Sequence, residues 1–478
     1  MNRNTNYAVI IMVLSSLLMS CEKYLENTQL PSGTIAGTDA FVSDNSTSAI
    51  VTGSYISLNN SGPFTGSASS NIAYITGLYT DELKNISTSS FADVYYKNAV
   101  TNNNTTHWTD LYSKLYVINS TIEGIQKTTA TLYYKDQWLG ECYFIRALLY
   151  YYLMNLYGDL PLALSSDYTV NNKLSRTPQK QVCQQIITDL KSAQRLLSTD
   201  YKDGFGATTN NRVRPNRAVA TALLSKVYMY TAQWDSAEAQ ATAVINNTDY
   251  QLISLDQVFL ANSKETIWAL ATISDVKVFE YEFYNNGMPA VLTPPEDPAT
   301  AYTVLVAMNS PLLNAFEPND ARYTNWVRST TVTATATSPA VTYYFPDKYK
   351  SATNGVEKEI VLRLADLYLT RAEARARQNN ISGAQSDLDI IRTRAGLPGT
   401  TASTQDELLT AISKERQVEL FTECGNRYFD LKRSGTIDNV MNVVAPLKGT
   451  SWSHYMQLWP IPPGDIILDP NLTPNPGY

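Results

Sequence analysis

The chain has 478 residues, with 37 Lys and Arg against 44 Asp and Glu and a formal net charge of −7. Nucleic-acid binding needs clustered basic side chains, so this balance argues against it. Only two histidines, His107 and His454, and four cysteines are present, with no CxxC or other metal-spaced pair, which leaves little for a zinc or histidine-based catalytic site.

Residues 2–6 are polar with one positive charge, Arg3, and residues 7–19 form an apolar run broken only by Ser15 and Ser16. A permanent membrane helix needs roughly 20 apolar residues, so this shorter run predicts an export signal over residues 1–20. Leu18-Met19-Ser20-Cys21 resembles the bacterial lipobox, with Met19 bulkier than the residue usual there. The resemblance implies cleavage before Cys21 and lipid attachment to its thiol. Cleavage removes Arg3 alone among the charged residues and leaves 36 basic and 44 acidic side chains, net −8. No later stretch is long and apolar enough to span a bilayer, so attachment is expected through lipid alone, with the body in water.

Beyond Cys21 the cysteines are Cys142, Cys183 and Cys424, each in a helix-like pattern and expected to be free thiols. Residues 22 to about 70 begin with Ser, Thr, Asn and Gly and read as a tether followed by a first short helix. From about residue 107 the pattern turns strongly helical. Over residues 141–157, Ile145, Leu148, Leu149, Tyr152, Leu153 and Leu156 recur at the spacing of one helix face. Tyr143, Ala147, Tyr151 and Met154 make the other side apolar too, which predicts a helix buried nearly all round. Gly158 stops it and Pro161 prevents resumption.

Cys183, Ile186, Ile187, Leu190, Ala193 and Leu197 mark a second such helix, and Val219, Ala222, Leu223, Val227 and Tyr230 a third. A fourth opens at Trp234 and runs to Ile245. Further helices are predicted over residues 360–376, 382–394 and 407–423. Paired helices of this length, Ala-rich at contact positions and joined by short turns at 232–237 and 379–384, resemble tetratricopeptide hairpins. Residues 250–355 interrupt them with Pro289, Pro294, Pro295, Pro298, Pro311, Pro318 and a Thr/Ala run at 330–337. This stretch predicts a loop-rich lobe with short strands such as 266–271, the kind of segment on which binding surfaces sit.

Several segments then resemble the SusD/RagB family. Gly140-Glu141-Cys142-Tyr143-Phe144-Ile145-Arg146-Ala147 and Leu156-Tyr157-Gly158-Asp159-Leu160-Pro161-Leu162 are similar to its early helix and following turn. Arg176-Thr177-Pro178 is similar to the lead-in to its next helix, and Glu265-Thr266-Ile267-Trp268 to one of its strands. Residues 363–374 (RLADLYLTRAEA), 391–397 (IRTRAGL) and Glu415, Arg416, Glu419, Leu420, Glu423, Gly425, Arg427, Asp430 to Arg433 follow in the family's order, closing with Trp459-Pro460-Ile461-Pro462 and Asn475-Pro476-Gly477-Tyr478. Asp366 stands where Glu is common, and Tyr428 where Trp is common. The resemblance implies a mainly α fold. Four tetratricopeptide-like hairpins would form a right-handed superhelical scaffold with an irregular loop-rich lobe packed on it. Residues 21–250 would make the N-terminal region and 251–478 the C-terminal one. It also implies an outer-membrane lipoprotein facing outward, sitting as a lid over a TonB-dependent barrel transporter.

Glu419 and Glu423 sit four apart on a predicted helix, with Arg416, Arg427 and Arg433 interleaved. A carboxylate among guanidinium groups stays ionised, the wrong state for a proton donor, so these residues are expected to lock helices together. Arg363 with Asp366, and Glu373 with Arg371 and Arg375, read the same way. No nucleophile elbow, P-loop or dinucleotide fingerprint is present, Gly204-Phe205-Gly206 being a loop, and no EF-hand spacing. The expectation is a binding protein with no catalytic residues, no metal and no cofactor, and a lipoprotein hydrolase is the weakest reading.

Sugars are gripped by aromatic faces, with Asn, Asp and Arg taking the hydroxyls. Two aromatic and Asn-rich clusters fit, residues 91–98 with Asn102 to Asn104, and residues 279–286 with Tyr323 and Trp326 downstream. The candidate ligand residues are Tyr95, Tyr96, Asn98, Tyr281, Phe283, Tyr284, Asn285, Tyr323 and Trp326, led by Tyr284 and Trp326. Tyr152 and Tyr368 fall in helix interiors and are expected in the core. The expected cargo is a glycan. An oligopeptide is the alternative, since peptide sites also use aromatic grooves.

Overall fold

The computed structural model describes residues 40–64, 66–104, 106–270 and 278–478. The export signal, Cys21 and most of the tether lie outside the described residues.

Helix α1 (Asp44–Asn60) is capped by Ser43, whose hydroxyl accepts from the Ser46 N–H. A second helix, α2 (Ile72–Tyr79), is buried at every residue. Sequence periodicity misses it because eight residues that are inward all round carry no polar stripe. β1 (Leu83–Asn85) and α3 (Ser90–Tyr96) lead to α4 (Thr106–Lys127) and α5 (Lys135–Tyr157). α5 is the expected all-round buried helix, and Gly158 closes it at φ 76, a left-handed angle that costs glycine little. β2 (Leu160–Pro161) pairs with β3 (Arg176–Thr177), and the loop between them holds one turn, α6 (Tyr168–Asn171). α7 (Gln179–Leu196) packs along α5, and α8 (Arg217–Tyr230) packs on both α7 and α9 (Trp234–Ile245). Ala232 makes the α8–α9 turn at φ 53, as Asn379 does at φ 60 in the later hairpin.

The lobe opens from β4 (Thr266–Ala269). It contains α10 (Phe279–Tyr284), β5 (Val291–Leu292), β6 (Val306–Met308), α11 (Ala321–Trp326), β7 (Val327–Val332) and β8 (Val341–Pro346), and ends at β9 (Ile360–Arg363). β6 pairs antiparallel with β1, while β5, β7 and β8 form a three-stranded sheet. β4 and β9 pair antiparallel, so the lobe leaves and rejoins the scaffold at one place.

The second helical stack is α12 (Leu364–Arg377), α13 (Ile381–Arg394) and α14 (Gln405–Glu419), followed by α15 (Asn426–Arg433), α16 (Ile437–Leu447) and α17 (Pro463–Leu468). α9 packs directly on α12, so the tetratricopeptide-like scaffold runs across the sequence interruption. Two expected helices are corrected. The one read from residue 360 begins at Leu364, because residues 360–363 are claimed by the pairing with β4. The one read over 407–423 begins two residues earlier, behind a capping box of Thr404 and Glu407. It ends at Glu419, and the chain then turns sharply through Thr422, Cys424 and Gly425, all with positive φ. Cys142, Cys183 and Cys424 are free and buried, Cys424 in this turn rather than in a helix. Tyr152 is buried, and Tyr368 packs partly buried against the core.

Candidate ligand-binding face

The first aromatic cluster lies on α3, capped by the Ser89 hydroxyl. A seven-residue helix with one inward face buries positions three apart, here Ala92 and Tyr95. Tyr95 donates its hydroxyl to the Asn104 carbonyl at 3.0 Å and lays its ring 5.7 Å from Trp459. Asn98, at φ 55, is buried and donates to the Tyr79 carbonyl at 2.7 Å. Both therefore fasten α3 to the scaffold, which corrects their expected ligand role. Phe91 and Tyr96 remain half-buried on the outer side. The Tyr96 ring lies 5.3 Å from the Lys448 ammonium, which burial pushes down to about 7.

On α10 the same geometry turns Glu280, Tyr281 and Tyr284 inward and leaves Phe279 and Phe283 half-buried. Tyr284 stacks on Tyr74 of α2 at 6.2 Å, and Phe283 meets Tyr74 edge-on at 5.3 Å. Asn285 is buried and fully engaged, donating to Asp347 at 2.7 Å and to the Tyr349 carbonyl at 2.9 Å while accepting from Arg328 at 2.9 Å. Trp326 is 0% exposed, its indole N–H donating to the Leu255 carbonyl at 3.0 Å, with Phe259 at 5.7 Å and the Lys348 ammonium 5.0 Å from its ring. Tyr281, Tyr284, Asn285 and Trp326 are thus corrected to packing and fastening residues, because a buried ring offers no face to a sugar. Of the candidate residues, Tyr96, Phe283 and Tyr323 keep partial access to solvent.

α2 packs on α3, which carries Tyr96, and sets Tyr74 against Phe283. Tyr323 instead packs against Phe316 at 5.6 Å and Tyr344 at 6.3 Å, on the wall of a cavity of about 660 Å³. Further half-buried rings lie outside the candidate residues, among them Phe91 and Phe279 of the two clusters and, elsewhere in the lobe, Tyr302 and Tyr343. Phe279 lies so close to Gly66 that a Cβ there would meet its ring at 2.3 Å. Tyr302 and Tyr343 pack with Ile86 on a small core of Met288, Val304, Ala307 and Phe345, and the Lys84 ammonium lies 5.6 Å from the Tyr343 ring. Alternation along Thr342-Tyr343-Tyr344-Phe345 was the available signal, but both tyrosines emerge half-buried. The lobe and α2–α3 thus present half-wet rings with Lys and Asn side chains nearby, a chemistry suited to C–H faces and hydroxyls.

The carboxylates do other work. Glu419 accepts from Arg363 at 2.6 Å, from Arg322 at 3.0 Å and from Arg394. These guanidinium groups outweigh its burial and hold its carboxyl well below the usual range. Glu423 lies off the helix yet reaches the same Arg363 at 2.7 Å and Lys348 at 2.5 Å. Arg416, Arg427 and Arg433, expected around these two acids, bind elsewhere: Arg416 to Asp366 and Asp430, Arg427 to Asp81, Arg433 to Glu373. Arg371 and Arg375 both bind Asp387 rather than Glu373. The locking role stands; the partners differ because helix crossing sets them, and spacing along one helix does not.

Beneath Tyr284, Glu280 and Glu359 hydrogen-bond to each other, and burial raises both carboxyls. Two buried acids in contact cannot both ionise cheaply, so the pair holds a proton. Among the described residues no group of three or more His, Cys, Asp or Glu gathers to hold a metal, and no helix is long and apolar enough to cross a membrane.

Comparison with known proteins gives two family matches along the chain. A profile described as the SusD family matches residues 314–478, and one described as starch-binding associating with outer membrane matches residues 43–229. SusD-like protein P2 of Formosa agariphila is 28% identical over 386 residues, 71% of this chain and 74% of that protein. A SusD superfamily structure from Bacteroides vulgatus superposes with a TM-score of 0.74 at 20% identity, covering 91% of this chain and 99% of the other. A structure described as a laminarin-binding SusD-like protein gives 0.71 at 22% identity, covering 91% and 99%.

Proposed function

The chain belongs to the SusD/RagB family, and on that premise we propose that it is a non-catalytic glycan-binding lipoprotein of the outer membrane. It faces outward and hands its cargo to a TonB-dependent barrel transporter. The observation that carries the reading is the division of labour in the side chains. Ion pairs on α12–α15 join these helices to one another and to the lobe, while half-exposed rings, Tyr96 and Phe283 foremost, flank α2. Rings of this kind hold a sugar without altering it. Affinity need only be modest, because retention over a transporter mouth raises the local concentration of cargo. A protein named laminarin-binding shares the fold and supports a polysaccharide as the ligand class.

The test is affinity electrophoresis through gels containing neutral polysaccharides, with gels containing digested protein run beside them. Retardation by a polysaccharide, with no new reducing ends after long incubation, is the expected result. Retardation only by digested protein moves the assignment to oligopeptide uptake, and release of shorter sugars overturns the non-catalytic reading.

A further inference from the structure

The loop between β2 and β3, the outer edge of α4 and the terminal α17 enclose a cavity of about 660 Å³ that takes no part in the aromatic face described above. Trp108 and Tyr112, 4.8 Å apart, line it. Its rim is unusually apolar. Of its lining residues Leu468 is 82% exposed and Tyr116 and Val117 are exposed too, and in the flanking chain Ile467 is 81% and Tyr168 75% exposed, with Leu164 and Val170. Isolated surface aliphatics need no explanation, but this many around one concavity mark a surface that another molecule covers. Leu468 belongs to the lining whereas Ile467 and Tyr168 do not, so only an occupant that extends past the cavity covers all three.

The polar groups set its charge. Asp465 and Asp469 are the charged residues among those lining the cavity, and both are acceptors. The Asn171 side-chain oxygen is buried with no hydrogen-bond partner among the described residues, while its nitrogen is committed to the Ser165 carbonyl at 2.7 Å. Two carboxylates on one lining are answered best by a cationic donor.

We propose that this cavity and its rim dock a segment of a partner protein that inserts an apolar side chain flanked by lysine or arginine. The apolar residue fills the space over Trp108 and Tyr112, its neighbours cover Ile467 and Leu468, and the basic group meets Asp465 and Asp469. The proposal does not depend on what the aromatic face binds.

The probes are two synthetic peptides, Gly-Lys-Leu-Phe-Lys-Gly with blocked ends and the same peptide with Glu for each Lys. Each is titrated to millimolar concentration against the purified mature chain, with saturation-transfer NMR as readout. The Lys peptide is expected to bind saturably and roughly tenfold more tightly than the Glu peptide. Asp465→Asn with Asp469→Asn should abolish that preference, and Ile467→Gln with Leu468→Gln should weaken both peptides while polysaccharide binding and the thermal midpoint stay put. Equal binding of the two peptides, no saturable binding, or indifference to the Gln pair overturns the proposal. So does competition by a neutral oligosaccharide, which would make the cavity a sugar site. Concentration-dependent dimerisation lost in the Gln pair also overturns it, since the occupant would then be a second copy.

Discussion

Arg363 and Glu419 meet at 2.6 Å with both side chains almost wholly buried, joining the end of β9 to the end of α14. The same guanidinium also binds Glu265 at 2.9 Å, just before β4, and Glu423 in the turn beyond α14. One cation therefore ties the base of the lobe to the second helical stack. Removing one partner leaves buried charges uncompensated. Arg363→Met should cost about 3–5 kcal/mol of stability, read from the urea midpoint, whereas loss of an exposed pair such as Lys97–Asp93 costs within about 1 kcal/mol.

The rings separate by role. Trp326→Ala and Tyr284→Ala empty buried space and should destabilise by about 3–5 kcal/mol. Phe283→Ala and Tyr96→Ala should weaken glycan binding by about 1–3 kcal/mol while moving the unfolding midpoint little. Calorimetry against the polysaccharide found by gel retardation, with thermal unfolding of each variant, checks both halves. Normal binding by both surface variants removes them from the site.

Glu82 gives a pH signature. Burial and the neighbouring Asp81 raise its carboxyl from 4.5 to about 8, although the Thr422 N–H donates to it at 3.2 Å. The folded chain thus keeps a proton that the unfolded chain releases at its ordinary pKa, so Glu82 subtracts stability progressively as pH rises from about 4.5 to about 8 and then no further. Glu82→Gln, which cannot ionise, should gain on the wild type across that window and hold a constant lead above it. Glu317, lowered to about 2 chiefly by its hydrogen bonds to Arg392, acts oppositely, losing its contribution as pH falls from 4.5 towards 2. It is common to both proteins and cancels in the difference. Midpoints measured for the pair from pH 4 to pH 9 decide the matter.

Lipid attachment has its own check. Cys21→Ala should abolish incorporation of labelled fatty acid and release the protein from the membrane fraction, while the isolated fold still binds polysaccharide. Unchanged labelling would place the acyl chain elsewhere or refute it.

The long helices were legible because their large apolar residues recur at helical spacing over several turns. α5, α7, α8 and α13 fall where Leu, Ile and Ala recur on one face, and the turns at Ala232 and Asn379 where the pattern breaks. α2 was invisible, being uniformly buried, and the partners of Glu419 were misread because they come from α11, α13 and β9 rather than from its own helix. The site was the least legible part. Short helices such as α3 and α10 are dense in aromatic residues, and composition does not distinguish Tyr95 from Tyr96 or Tyr284 from Phe283. Which of each pair faces inward depends on the packing around it: Trp459 meets the Tyr95 ring, and Tyr284 stacks on Tyr74 while Phe283 meets the same ring edge-on.

Where β4 and β9 lie side by side, the Leu270 N–H donates to the Glu359 carbonyl at 2.9 Å. The loop-rich lobe is therefore an excursion whose exit and return share one doorway in an otherwise continuous helical frame. Beyond that doorway the lobe is also fastened by β6 to β1 and by Arg322 to Glu419, so its exposed loops are where chain can be inserted or shortened without disturbing the stack. Such a plan confines tolerance of change to the loop tips and leaves the frame to hold its shape.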